Sequence, residues 1–438
     1  MHIETGSVIK ENEQLKNQTI GQNKWLYQQM DKNYYWYKDM PDSSKLDFNQ
    51  SASSFFERLK SSKDRFSWIE SNGDYPGGES MYDRFGLEYG EYRTVDGETV
   101  CRVLFVGNGS VAMKAGIRRG DWFVLSSGAD LEQNQVGIQM GEINDGHFIP
   151  IKKEMLLAQM EETHTSAVKL DTIYQIGNKK IGYLFYNEFI DTNGNISNPY
   201  RIELRNIFTK FNQSIISDLI IDLRYNHGGY ASICQYLCSL ILADEYLGKV
   251  SGFHEFNDKL AQKQLKETGN KEDILYFPSK STIGGNNIGI PKLYAIVTAQ
   301  TASASECLIN SLSPFIQVIT VGTKTVGKGV GSWPIKDDNY KWQIQPITFR
   351  YYNSQHVTVP DTGLVPDIYA DEALVENYYE LGDVKEYLLN IALSQILGEK
   401  KLKIAHAGLQ KMIPVLPEQS TILPRRKVSG LVITRNED

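Results

Sequence analysis

The chain has 438 residues, 41% of them hydrophobic, a formal net charge of −7 and four cysteines. That length predicts two to four domains with cores of real size, and the acidic balance argues against nucleic acid as a partner. There is no Cys/His set at zinc spacing, no signal peptide and no apolar run that would span a bilayer. Nor is there a phosphate-binding loop, since the Gly-Lys at 327–328 is followed by Gly329 rather than Ser or Thr. No metal and no cofactor is therefore expected.

Residues 1–20 are polar and read as a flexible lead-in. A helical domain is predicted over 21–78, where Asn23, Trp25, Leu26, Met30, Tyr34, Tyr35 and Trp36 recur at helical intervals and a second helix opens at Ser53-Ser-Phe-Phe-Glu-Arg-Leu59. Its aromatic stripe fits packing against a larger domain better than a ligand platform. Asp64-Arg-Phe-Ser-Trp68 then leads through a glycine-rich link, Gly73 to Gly78, into a β-rich domain over 79–165. Phe85-Gly86-Leu87, the run Val100–Val106 and the segment Ser110–Val124, with Gly116 and Gly120-Asp121, supply its strands and turns.

The largest unit is predicted over 166–397. Leu219 to Leu223 is almost continuously apolar, as expected of a strand buried on both faces. It ends in the turn Arg224-Tyr-Asn-His-Gly-Gly229, and Ala231–Leu242 has helical spacing. A second unit repeats the order with the strand Leu293–Thr298, a turn at Ser303 and a helix from about Ala304. Two such crossovers imply an α/β fold with a parallel sheet and both turns at its carboxyl edge, where helix N-termini present free N–H groups to a developing anion. Cys234 and Cys238 share one helix face, which is poor disulfide geometry, and read as small apolar core residues; Cys307 falls inside the next helix. Lys341–Tyr352 alternates as a strand and Asp383–Leu397 reads as a helix. The tail over 398–438, interrupted by Pro414, Pro417 and Pro424, reads as a strap or an appendage, with Val428–Thr434 as a candidate edge strand.

The chemistry concentrates at two points. Ser303 lies in Thr-Ala-Ser-Ala-Ser-Glu (301–306), and Lys328 lies between glycines in Val-Gly-Lys-Gly (326–329). A serine hydroxyl needs a base, and a lysine serves as one when burial keeps it neutral. Each also has an ordinary reading, Ser303 as a helix cap and Lys328 as a turn residue.

Asp-Leu-Arg-x-Asn-x-Gly-Gly at 222–229, x-Ala-Ser-Ala-Ser-Glu at 301–306 and the Gly-Lys-Gly occur in the order seen in the carboxyl-terminal processing (tail-specific) peptidases, and the chain resembles that Ser-Lys family over roughly residues 20 to 395. The resemblance implies a serine endopeptidase with a tricorn-like, crotonase/ClpP-like α/β core, acting on unfolded or tail-exposed polypeptide. By position, Ser303 would be the nucleophile, Lys328 the general base, the amides of Ala304 and of Gly228 or Gly229 the oxyanion hole, and Glu306 a supporting group. Ser332 stands where the family commonly has a lysine-orienting glutamine. Tricorn-type relatives use a histidine base; His227 is read as a turn residue because Lys328 fills that position. The β-rich domain resembles a PDZ domain, whose peptide-binding loop would be Phe85-Gly86-Leu87. The family is usually exported, so the bacterial cell envelope is the expected location, by resemblance alone. A non-catalytic or PDZ-gated binding protein on the same scaffold is the alternative.

Overall fold

The computed structural model describes residues 3–71, 84–126, 135–151, 154–159, 166–191, 198–337, 339 and 342–398, together with the backbone of 416–417 and 431–432; over 3–12 it describes the backbone alone. Six strands form the central sheet, in the order Ile368–Tyr369, Gln317–Gly322, Lys292–Val297, Asp218–Asp222, Lys179–Tyr186 and Val168–Ile176. The first five run parallel and the sixth is antiparallel to its neighbour.

Strand periodicity explains the uninterrupted apolar run. Leu219 and Ile221 join Leu293, Ala295 and Val297 in one core, while Ile220 joins Tyr294, Ile296 and Val321 in the other. Helices Pro199–Ser214, Ala231–Ile241 and Ala304–Leu312 cover the first face, and helix Tyr387–Leu397 covers the second. All four cysteines are free and buried. Among the described residues there are three further sheets. One holds Trp68–Ser71, Trp342–Gln345 and Ile335–Asp337, and a second six-stranded sheet includes Val330–Ser332, Ile347–Asn353 and Val250–Phe256. The third lies in the β-rich domain, whose separate core includes Phe85, Leu87, Val103, Phe123 and Ile138.

The N-terminal helix, Ile3–Asn33, corrects the expected lead-in: residues 3–20 are helical. Their turns carry Glu, Lys and Gln, which sit well in a helix, and the anchored segment beyond them, with Leu26 and Met30 fully buried, extends back through them. The predicted strand Lys341–Tyr352 divides at Pro346, which has no N–H for a ladder, and its halves Trp342–Gln345 and Ile347–Asn353 enter different sheets. The predicted edge strand in the tail is internal instead: Leu431–Val432 lies between Gly229–Tyr230 and Val330–Ser332, because both neighbours present unpaired backbone toward it. The link Gly73–Gly78 lies outside the described residues.

A buried charge network fixes the β-rich domain to the core. Arg224, wholly buried, donates to Asp222, Glu372 and Glu386 at 2.7–3.0 Å. From the β-rich domain Arg119 reaches the same cluster, donating to Glu372 and to Tyr225 Oη at 2.7 Å each, with the Tyr378 ring 4.3 Å from its guanidinium carbon. Burial alone would push the Glu372 carboxyl up, but the charges of Arg224 and Arg119 outweigh it and hold the group at about 2. A carboxyl held below its unfolded value stabilises the fold above about pH 4.5, and that contribution is lost as pH falls toward 2. Thermal melts should therefore drop steeply over that interval. Arg224→Met, which leaves Asp222 with the Tyr183 hydroxyl and Glu386 with Arg119 at 3.4 Å, should lower stability by about 3–5 kcal/mol at pH 7 in denaturant titration.

Candidate active site

Three loops leave the carboxyl ends of adjacent parallel strands and meet. They are Leu223–Gly228 after Asp218–Asp222, Thr298–Ser303 after Lys292–Val297, and Thr323–Lys328 after Gln317–Gly322. This sheet edge is where open α/β folds place their sites.

Ser303 heads helix Ala304–Leu312 with φ 59° and ψ −111°, a conformation that costs a non-glycine residue on the order of 1–3 kcal/mol. The surrounding bonds hold it there. Its N–H donates to Glu306 Oε2 at 2.8 Å, its carbonyl accepts from Cys307 N at 2.7 Å, and the preceding Ala302 N–H donates to Asn226 O at 3.1 Å. The side chain is 1% exposed, and among the described residues Oγ has no hydrogen-bond partner. A hydroxyl buried without a bond is costly, so this serine is not accounted for by capping alone.

Glu306, fully buried, joins two of the loops. Its Oε2 also accepts the Lys328 N–H at 2.8 Å, while Oε1 accepts Gly327 N–H at 2.8 Å and the Thr325 hydroxyl. Burial pushes its carboxyl above the usual value, and these four donors pull it part of the way back.

The glycine turn forms the third wall. Asn226 spans it, donating from Nδ2 to Tyr186 O at 2.9 Å and accepting the Gly228 N–H on Oδ1 at 2.8 Å. Only glycine fits at 228: φ is +106°, and a Cβ would stand 2.8 Å from Ser303 Cβ and 2.9 Å from Ala304 N. Phe189 N–H donates to Gly228 O at 2.9 Å and Tyr230 N–H to Phe189 O at 2.8 Å, so the N–H and C=O of Gly229 face away from Phe189.

Lys328 is 7% exposed, with Nζ 4.8 Å from the centre of the Phe66 ring. Burial lowers its ammonium from 10.5 to about 8, against the opposing pull of Asp64 and Glu306. Both Phe66 and Asp64 come from the N-terminal domain. Asp64 Oδ1 accepts the N–H groups of Phe66 and Ser67 at 2.9 Å each, and Oδ2 accepts the Tyr34 hydroxyl at 2.8 Å. Between them, Arg65 donates to the carbonyls of Val326 and Gly327 at 3.2 Å and of Asp361 at 2.9 Å.

Ser303, Ala304, Glu306, Lys328, Gly228 and Gly229 are thus brought together. Ser332 Oγ accepts from Gln345 Nε2 at 2.8 Å, both residues buried, and His227 remains in the glycine turn, half-buried. Phe85, Gly86 and Leu87 lie apart, in the β-rich domain; Phe85 and Leu87 are core residues, and Gly86, φ +71°, packs on Ser110. Sequence reasoning missed Asn226, although it quoted the motif containing it. It also missed the turn Asp64–Ser67, whose only signal was an Arg-Phe pair inside a segment read as a lead to a linker.

Phe66 is itself half-buried, so it separates Lys328 from bulk water. Phe66→Ala should admit water and raise the lysine pKa from about 8 toward its ordinary 10.5, by about one unit. Phe66→Leu, which keeps the apolar cover, should leave it near or below the wild-type value. Titration of the 13Cε-lysine signal, assigned with Lys328→Ala, reads both.

Two family profiles match the chain: Peptidase family S41 over residues 180–370 and Peptidase S41 N-terminal domain over 21–68, together more than half its length. A carboxy-terminal-processing protease of Bartonella bacilliformis is 20% identical over 300 residues, 67% of this chain; the match spans only 62% of that relative's length. Among solved structures, a candidate S41 protease of Bacteroides fragilis is 26% identical with a TM-score of 0.71, over 86% of this chain and 97% of that one. The photosystem II D1 C-terminal processing protease shares the fold at 18% identity and a TM-score of 0.50, over 82% and 95% of the two chains.

Proposed function

Because this chain belongs to peptidase family S41, we propose that it is a serine endopeptidase in which Ser303 is the nucleophile and Lys328 the general base. The observation that carries the reading is the buried Ser303 Oγ, without a hydrogen-bond partner among the described residues, at the same sheet edge as a buried lysine lowered to about 8, with one carboxylate tying both backbones. Ser303 Oγ attacks the scissile carbonyl carbon as its proton passes to neutral Lys328 Nζ. The oxyanion takes hydrogen bonds from the Ala304 and Gly229 amides, each worth about 3–4 kcal/mol; Gly228 N–H is held by Asn226. The Lys328 ammonium then protonates the leaving amine, and water, deprotonated by the same lysine, releases the acyl group.

The same reading assigns boundaries of 21–78 to an N-terminal helical domain, 79–165 to a PDZ-like domain and 166–397 to a crotonase/ClpP-like core. The separate hydrophobic core of the β-rich domain supports the second of these. Phe85-Gly86-Leu87 is read as its peptide-carboxylate loop, and unfolded or tail-exposed polypeptide as the substrate. Among the described residues, no helix is long and apolar enough to cross a membrane. Placement in the bacterial cell envelope rests on kinship, and cell fractionation tests it.

Mass spectrometry of an unfolded protein incubated with the enzyme should reveal fragments, and Ser303→Ala should give none. Lys328→Ala should lower kcat by about 10²–10⁴-fold while leaving the circular dichroism spectrum unchanged. Since the base works neutral, kcat/KM should rise with pH through about 8. Undiminished cleavage by Lys328→Ala, with a profile tracking a histidine, would sink the pair and promote His227.

A further inference from the structure

The second six-stranded sheet contains a strand that does not belong to the core's own span. Leu431–Val432, from the tail, runs parallel between Gly229–Tyr230 and Val330–Ser332. Leu431 is opposite Gly229 on one side and Gly331 on the other, and Val432 is opposite Tyr230 and Ser332. Both neighbours are walls of the active site. Gly228, one residue before the first, lies against Ser303, and Val330 follows Lys328 by two positions.

The backbone on one side of this slot is turned into it. Phe189 already uses the Gly228 carbonyl and the Tyr230 N–H, so the N–H and C=O of Gly229 point toward the tail strand, about 4.8 Å away. The amide that would hold an oxyanion therefore faces the chain's own tail. A second stretch of the tail, Leu416–Pro417, pairs antiparallel with Tyr92–Arg93 at the edge of the β-rich domain's sheet. The tail is thus bound by main-chain pairing at both domains.

We propose that the slot between Gly229–Tyr230 and Val330–Ser332 is a strand-binding site for extended polypeptide, and that the chain's own segment at Leu431–Val432 fills it and competes with substrate. This rests on the peptidase reading for the identity of the competitor. Recognition by backbone pairing is tolerant of side chains, which suits a site that accepts many sequences. Among the described residues the tail pairs over two positions, and an incoming strand that pairs over a longer stretch displaces it. While the tail is in place, only the fraction of molecules with an open slot binds substrate, and the apparent affinity falls by that fraction.

Full-length Leu431→Pro/Val432→Pro removes two strand N–H groups, whereas Leu431→Ala/Val432→Ala keeps them. Two readouts apply to both variants: KM for an unfolded protein substrate, and deuterium exchange of amides 228–232 and 330–332 in a Ser303→Ala background. The proline variant should show a KM lower by about fivefold or more with kcat unchanged, and faster exchange on both walls; the alanine variant should match wild type. Unchanged exchange and KM in the proline variant would overturn the proposal. So would an alanine variant that behaves like the proline one, since recognition would then lie in the side chains. If none of the proteins cleaves anything, the peptidase reading fails by itself, and the exchange data still decide whether the tail fills the slot.

Discussion

One carboxylate organises this molecule's chemistry. Glu306 is fully buried, and a buried anion is stable only when its lone pairs are met. Here they are met by the backbone N–H groups of Ser303, Gly327 and Lys328 and by the Thr325 hydroxyl. The requirement runs both ways. Satisfying Glu306 forces the 323–328 loop against the helix that Ser303 heads, and holds Ser303 in a backbone conformation it would not adopt alone. The residues of the site are therefore set by backbone hydrogen bonding, which leaves the Ser303 hydroxyl outside that scaffold.

A second constraint comes from outside the core. The lysine is buried partly by Phe66, and the loop carrying it is clasped by Arg65 at two carbonyls. These residues are themselves positioned by Asp64, which accepts two backbone N–H groups and a tyrosine hydroxyl from the first helix's end. The N-terminal domain is thus part of the lysine's environment rather than an appended module. Asp64 also opposes the lowering of the lysine by burial, so the same turn supplies both the cover and a counter-charge.

Much of this was legible in the sequence, for identifiable reasons. Strand, turn and helix announced themselves twice because both strands are buried on two faces and both turns are bounded by small residues. Ser303, Lys328 and the glycines stood out because the positions demand those residue types; Gly228 touches Ser303 so closely that no side chain fits. What stayed hidden depends on contacts distant in sequence. Nothing local in Arg65 or Phe66 points to a loop more than two hundred residues away. Arg119, inside a glycine-punctuated segment, gave no sign that it would enter a carboxylate cluster in another domain. In the sequence the division at Pro346 shows only as a proline in an alternating run. Sequence alternation cannot say which two strands are open to receive the tail strand.

The strand Trp68–Ser71 pairs with Trp342–Gln345, so the turn covering Lys328 is stapled to a segment far downstream in the chain. Contacts of such sequence separation form slowly and late, since the loop between them must close first. On the ribosome, the N-terminal cover, the serine turn and the lysine loop all exist before the partner strand that fixes the cover has emerged. On the proposed function, competence is consequently a property of the finished fold: the nascent chain carries Ser303 and Lys328 but not the enclosure that lowers the lysine toward about 8.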